Sequence, residues 1–271
     1  MTEKASPSSR PKLSTGISGL DIILAGGLEP ERAYLVEGTP GTGKTTLGLS
    51  FLLEGVRNGE SALYIAMSES EIELRAVAQS HGWRLDGVDV FELVDKVGLD
   101  SEAEQTVLHP SELELGETAR AVMGRVQKSN PARVVFDSLS EIRLLAQNPQ
   151  RYRRQVLALK SFFTQQKCTV LLLDDCSSEP AAANGDLQLH SLAHGVVVLE
   201  QIALEFGAER RRLRVVKLRG SRFRGGFHDF TIEAGGLVVY PRLVAHEHHS
   251  EVGHNPVSTG IAELDQLLGG G

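Results

Sequence analysis

The chain has 271 residues, 41% of them hydrophobic, and a net charge of −7 at neutral pH. That length and apolar content support one large core without disulfide or metal staples, and the negative balance opposes general adhesion to nucleic acid. The apolar runs fall far short of the roughly 18 residues that span a bilayer, so the composition describes a globular protein with no membrane anchor.

Residues 1–12, MTEKASPSSRPK, are polar and proline-punctuated with no apolar leader core, the pattern of a flexible arm on a cytoplasmic protein. Apolar runs at 33–36, 62–67, 88–94, 134–136, 170–173 and 196–199 alternate with helical patterns. This alternation predicts an α/β fold with a parallel sheet. After the first run comes Gly38, Thr39, Pro40, Gly41, Thr42, Gly43, Lys44 and Thr45, a complete G-x-x-x-x-G-K-[ST] loop, followed by Thr46 and a helix-compatible stretch to Arg57. In that strand–loop–helix context the glycines turn backbone N–H groups toward phosphate oxygens, Lys44 meets the β and γ phosphates, and Thr45 offers its hydroxyl to magnesium.

Glu69 follows the second strand at the carboxyl edge of the predicted sheet, where it is a candidate to polarise an attacking water; the alternative is support of a helix dipole at the start of the next helix. Ser70 with Glu73, and Ser111 with Glu114, have the spacing of capping boxes, and Asn130-Pro131 stops the second of these helices. The run 133–137 ends in Asp137, an apolar strand closing on an acid in the form of a Walker B segment, so Asp137 is expected to hold magnesium through water. The alternative is a strand-end capping acid. Cys168 and Cys176 flank a strand-like run and are expected to be reduced.

Residues 210–224 hold eight basic side chains, so the rest of the chain carries −15 (−7 less 8). One reading is a solvated strand face. The other rests on Lys217 and Arg219, two residues apart on a predicted strand and so on one face, with Leu218 on the other. At a sheet edge they are remote from the chain's own nucleotide but able to enter a neighbour's site in trans as arginine-finger-type groups. Gly225-Gly226 and Gly235-Gly236 then mark a hairpin-rich region at the sheet edge.

Residues 241–257 read as a linker, in which His246, His248, His249 and His254 are more consistent with solvated side chains than with a metal site. Ser258-Thr259-Gly260-Ile261 repeats Ser14-Thr15-Gly16-Ile17, and Leu264-Asp265 repeats Leu20-Asp21, at an offset of 244 residues (258 less 14). The organisation expected is therefore an arm at 1–12, an ATPase domain at 13–240, a linker at 241–257 and the truncated start of a second repeat at 258–271.

Taken together, STGISGLD (14–21), GTPGTGKTT (38–46), SES (68–70), SHGW (80–83), the strand ending at Asp137 and KLRGS (217–221) resemble the KaiC family of ring-forming ATPases over nearly the whole chain. The resemblance implies a RecA-like P-loop fold, slow ATP hydrolysis with magnesium, a homo-hexameric ring with ATP between subunits, and often a tandem second domain. It also implies Ser80, Leu218 and Ser221 near the nucleotide, alongside Lys217 and Arg219, and clock- or signalling-type protein partners for a timer or switch. Clock-type members carry two adjacent glutamates where this chain has Ser68-Glu69, and serine/threonine autokinase activity belongs chiefly to the second domain. Two further readings are a RecA-like DNA-handling motor and a nucleotide-gated scaffold with little hydrolysis. Acidic net charge and the lack of an evident aromatic stacking platform weigh against the motor.

Overall fold

The structure is a computed structural model that describes residues 11–93, 110–176, 189–203, 207–244 and 257–269, with side chains of the 110–129 helix described from 115 onward. Its elements are α1 (Ser18–Ile23), β1 (Ala33–Gly38), α2 (Lys44–Arg57), β2 (Ala62–Ala66), α3 (Glu71–Ser80), β3 (Val88–Glu92), α4 (Pro110–Ser129), β4 (Arg133–Asp137), α5 (Leu139–Ala146), α6 (Pro149–Gln165), β5 (Thr169–Asp175), β6 (Gly195–Ile202), β7 (Arg210–Leu218), β8 (His228–Glu233), β9 (Gly236–Tyr240) and α7 (Ala262–Leu267).

The nine strands form one sheet in the order β3-β2-β4-β5-β1-β6-β7-β8-β9. The first six in that order are parallel, and the last three are added antiparallel at one edge. Central strands are apolar on both faces because helices cover both. Tyr34 and Val36 of β1 pack on one side with Leu47, Phe51 and the buried residues of α1, α2 and α3. Ala33 and Leu35 pack on the other with Val122, Ile142 and Leu159 from α4, α5 and α6. Each such aliphatic side chain, fully buried, contributes about 1.5–3 kcal/mol.

In β7 the alternation breaks. Leu213 and Val215 point into the first core layer, and continued period-2 alternation would send Lys217 there as well. Instead Val197 pairs with Val215 and Val196 with Lys217, leaving Val216 as the extra residue of a bulge. The bulge reverses the parity, so Leu218 enters the core and Lys217 turns to the opposite face.

Arg133, at the start of β4, is 1% exposed. Its guanidinium donates to Ser14 O (2.7 Å) and Phe51 O (3.0 Å), pairs with Glu60 and lies 4.7 Å from the Phe51 ring centroid. It thereby joins the turn before α1 to α2. That turn is closed locally: Asp21 accepts from Ser14 Oγ, Thr15 N and Thr15 Oγ1 at 2.7, 2.9 and 2.7 Å. The same three bonds recur from Ser258 and Thr259 to Asp265 at 2.5, 2.7 and 2.6 Å. The environments differ: Ile17 and Leu20 are buried, whereas their counterparts Ile261 and Leu264 are exposed.

The chain divides into two compact units between Pro241 and Arg242. Ser70 and Glu73 form the expected capping box. The side chains of Ser111 and Glu114, and the histidines at 246, 248, 249 and 254, lie outside the described residues. No disulfide joins Cys168 and Cys176, and burial pushes the Cys168 thiol up to about 11. Among the described residues no helix is long and apolar enough to cross a membrane.

Candidate active site at the carboxyl edge of the sheet

β1 ends at Gly38, residues 39–43 turn, and α2 starts at Lys44. Gly41 and Gly43 hold φ of 84° and 98°, values that side chains with a Cβ rarely adopt, and a Cβ on Gly43 would meet Ile232 Cδ1 at 2.8 Å. Gly43 offers no side-chain cap, so the first-turn N–H groups and the positive end of the helix dipole face the loop, an arrangement suited to an anion. Lys44 is buried, and its ammonium donates to Gly38 O (2.9 Å) and Thr39 O (3.0 Å) and pairs with Asp175 Oδ1 (2.7 Å).

Sheet order brings the remaining groups together. β2, β4, β5 and β1 are adjacent and parallel, so their carboxyl ends converge. Thr45 Oγ1 donates to Asp137 Oδ2 (3.1 Å), and the Tyr64 hydroxyl donates to the same oxygen. Burial, followed by the charges of Asp137 and Glu69, holds the Tyr64 phenol protonated well above its ordinary range. Burial also pushes the Asp137 carboxyl up, outweighing the bonds from Tyr64 and Thr45 and the charge of Lys44. Glu69 lies beyond the end of β2 and just before Ser70, the N-cap of α3, a position compatible with both the catalytic and the dipole reading. Its carboxyl is raised by burial first, then by Asp137, Glu73 and Asp175. Glu69 Oε2 is buried with no hydrogen-bond partner.

The oxygen pair of Thr45 and Asp137 fits magnesium, which takes one or two protein ligands and completes its shell with water and phosphate. Among the described residues no group of three or more His, Cys, Asp or Glu could hold a metal ion.

The other residues singled out from the sequence lie elsewhere. Thr46 Oγ1 is 3.4 Å from His81 Nε2, whose ring also contacts Glu233 O (3.1 Å). Ser80, one residue earlier, is exposed and bonds Val77 O (2.7 Å) in its own helix. β7 stops at Leu218, so Arg219 is a turn residue rather than the strand residue expected. Lys217 and Arg219 do share a side: Lys217 Nζ donates to His190 O and to Ala193 O (2.9 Å), and Arg219 to Ser191 O (2.9 Å). The Leu218 side chain is in the core, leaving only its backbone for a ligand. Ser221 Oγ donates to Glu29 Oε1 (2.9 Å). The arginines at the start of β7 are engaged with acids: Arg210 with Asp229, and Arg212 and Arg214 with Glu200. Tyr64 and Asp175 carry no local sequence pattern that marks them, and His81 enters the sequence reading only as part of SHGW (80–83).

Residues 13–244 match the family described as "ATPase: KaiC". The chain is 29% identical over 237 residues to a UPF0273 protein of Thermotoga maritima, covering 85% of this chain and 96% of that one. It is 30% identical to the circadian clock oscillator protein KaiC of Parathermosynechococcus lividus and to that of Synechococcus elongatus, each over 96% of this chain. It spans 48% and 50% of the length of those two clock proteins. With its phosphate loop, convergent carboxylates and mostly parallel sheet, the chain belongs to the KaiC ATPase family.

Proposed function

We propose that the chain is an ATP-hydrolysing subunit of a nucleotide-dependent hexameric ring, a slow timer or switch whose site is completed in trans. In the site, Lys44 and the loop N–H groups bind the β and γ phosphates. Magnesium, held by Thr45 directly and by Asp137 through water, would neutralise phosphate charge when bound. Glu69 orients the attacking water and takes its proton as the new P–O bond forms and the bond to ADP breaks; its Oε2 makes no hydrogen bond within the chain.

The observation that carries the trans reading is the sheet register. Arg219 N bonds His194 O, and His194 N bonds Ala33 O, which puts Arg219 level with the start of β1. The loop begins at Gly38, five residues and roughly 17 Å along that strand. Lys217 and Lys160 are both lowered by burial, with Arg219 next among the causes. Such a cluster of cations favours an anion brought from outside the subunit. We read 258–271 as the start of a second repeat, supported by the recurrence of the Ser-Thr-to-Asp bonds.

Mixing tests the trans site. Arg219→Ala is expected to lower turnover by up to about a thousandfold, and Lys44→Ala to abolish nucleotide binding. Combined, the two should regain part of the activity, because some interfaces join an intact loop to an intact Arg219. No rescue at any ratio, with mixed rings confirmed by native mass spectrometry, would remove the trans site.

A further inference from the structure

The ammonium of Lys44 has three N–H donors, and all three are taken: by Gly38 O (2.9 Å), Thr39 O (3.0 Å) and Asp175 Oδ1 (2.7 Å). The two carbonyls belong to the loop itself. The third partner is a full negative charge from a different strand, and it approaches from the open side: the Lys44 side chain is 8% exposed and that of Asp175 40%. The carboxylate is mounted rather than loose. Asp175 N donates to Ser140 Oγ (3.1 Å), and Asp175 O accepts from Arg143 (3.3 Å). The preceding Asp174 is fully buried, accepts from Ser140 Oγ (3.2 Å) and pairs with Arg143. Ser140 in the first turn of α5 and Arg143 in its last turn therefore hold the tip of β5, and with it the carboxylate, against the phosphate loop.

We propose that Asp175 is a specificity-determining residue that stands where a terminal phosphate would meet Lys44 and so weights the site against nucleoside triphosphate relative to diphosphate. The inference rests on reading 38–45 as the phosphate loop. A triphosphate must displace the carboxylate from Lys44 and then lies beside its charge, which the α5 contacts keep from retreating far. A diphosphate brings one phosphate group fewer to that position and meets less of the repulsion. Once the terminal phosphate has left, Asp175 closes again on Lys44, which favours completion of the cycle over rebinding.

Calorimetric titration of the full chain with magnesium and either a non-hydrolysable ATP analogue or ADP tests this. Asp175→Asn keeps the shape and removes the charge; it is expected to tighten the triphosphate about fivefold, the upper end of the scale of a part-exposed ion pair, and ADP less than about twofold. Asp175→Ser provides the same reading should the amide variant fail to fold, with melting curves reporting the fold of each. Triphosphate affinity that is unchanged or weaker, or an equal gain for ADP, overturns the proposal. Lys44→Ala is titrated in parallel: retained nucleotide affinity there would instead overturn the phosphate-loop reading, so the two failures are distinguishable.

Discussion

Burial and the neighbouring carboxylates of Asp137, Glu73 and Asp175 all push the Glu69 carboxyl upward, so the ionised form able to accept a proton is the one the fold stabilises least. A raised carboxyl contributes stability that is present below the ordinary glutamate range and lost as pH rises through the raised value. Glu69→Gln should therefore raise thermal stability near pH 7, by about 1 kcal/mol at most given its half-exposed position, or roughly 2–4 °C. The gain should vanish near about pH 4, where Glu69 is already protonated. The same variant should cut hydrolysis about a hundredfold or more and remove the acid limb of the rate profile, which in the parent chain lies above the ordinary carboxylate range. Unchanged turnover in a stopped-flow phosphate assay would return Glu69 to a structural role. The phosphate loop was legible in the sequence because its eight residues are contiguous and each has a local task. Asp175 and Tyr64 were not, because their contacts with Lys44 and Asp137 arise from the spatial order of strands that lie far apart in the chain.

Gly55 lies on α2 against the buried Arg133, where an added Cβ would fall 2.5 Å from Arg133 Cδ and 2.7 Å from its Nε. The guanidinium cannot give way, since Ser14, Phe51 and Glu60 hold it. Gly55→Ala should destabilise by about 1–3 kcal/mol through overpacking, despite the better helix propensity of alanine. Gly124, exposed on α4 with nothing within 4 Å of an added Cβ, should show the opposite sign: Gly124→Ala should stabilise by about 0.5–1 kcal/mol. Equilibrium urea unfolding of both variants decides, and equal shifts in one direction would discount the clamp. Hydrophobic runs marked the parallel strands to within a few residues, since burial on both faces leaves a continuous signal. The β7 bulge at Val216 left no such mark: alternation is set by pairing with β6, and the extra residue has no composition of its own.

Across the whole molecule, a fold that keeps Arg219 at the amino end of β1 and the phosphate loop at its carboxyl end separates two parts of the proposed site. ATPase activity per subunit should then rise with protein concentration, and ATP with magnesium should shift the mass distribution toward rings. Binding across an interface would stabilise assembly by about 2.7 kcal/mol per site at a hundredfold excess over Kd. Mass photometry alongside a phosphate-release assay over a dilution series tests this; a flat specific activity while the mass falls to that of a monomer would sink it. The basic run at 210–214 belongs to the same scale. Arg210 faces Asp229, and Arg212 and Arg214 share Glu200, so two carboxylates offset about half of the positive charge evident in the sequence.

The turn tied to Asp21 also bears on timing. Ser14 reaches Asp21 across seven residues, whereas Arg133 reaches Ser14 O across 119. Closing so short a loop takes on the order of 10–100 ns once the segment exists, and its entropic cost is small beside that of the long one. During synthesis the bonds to Asp21 can thus form and break many times while β4 has yet to be made. The arrival of Arg133 fastens the turn to α2.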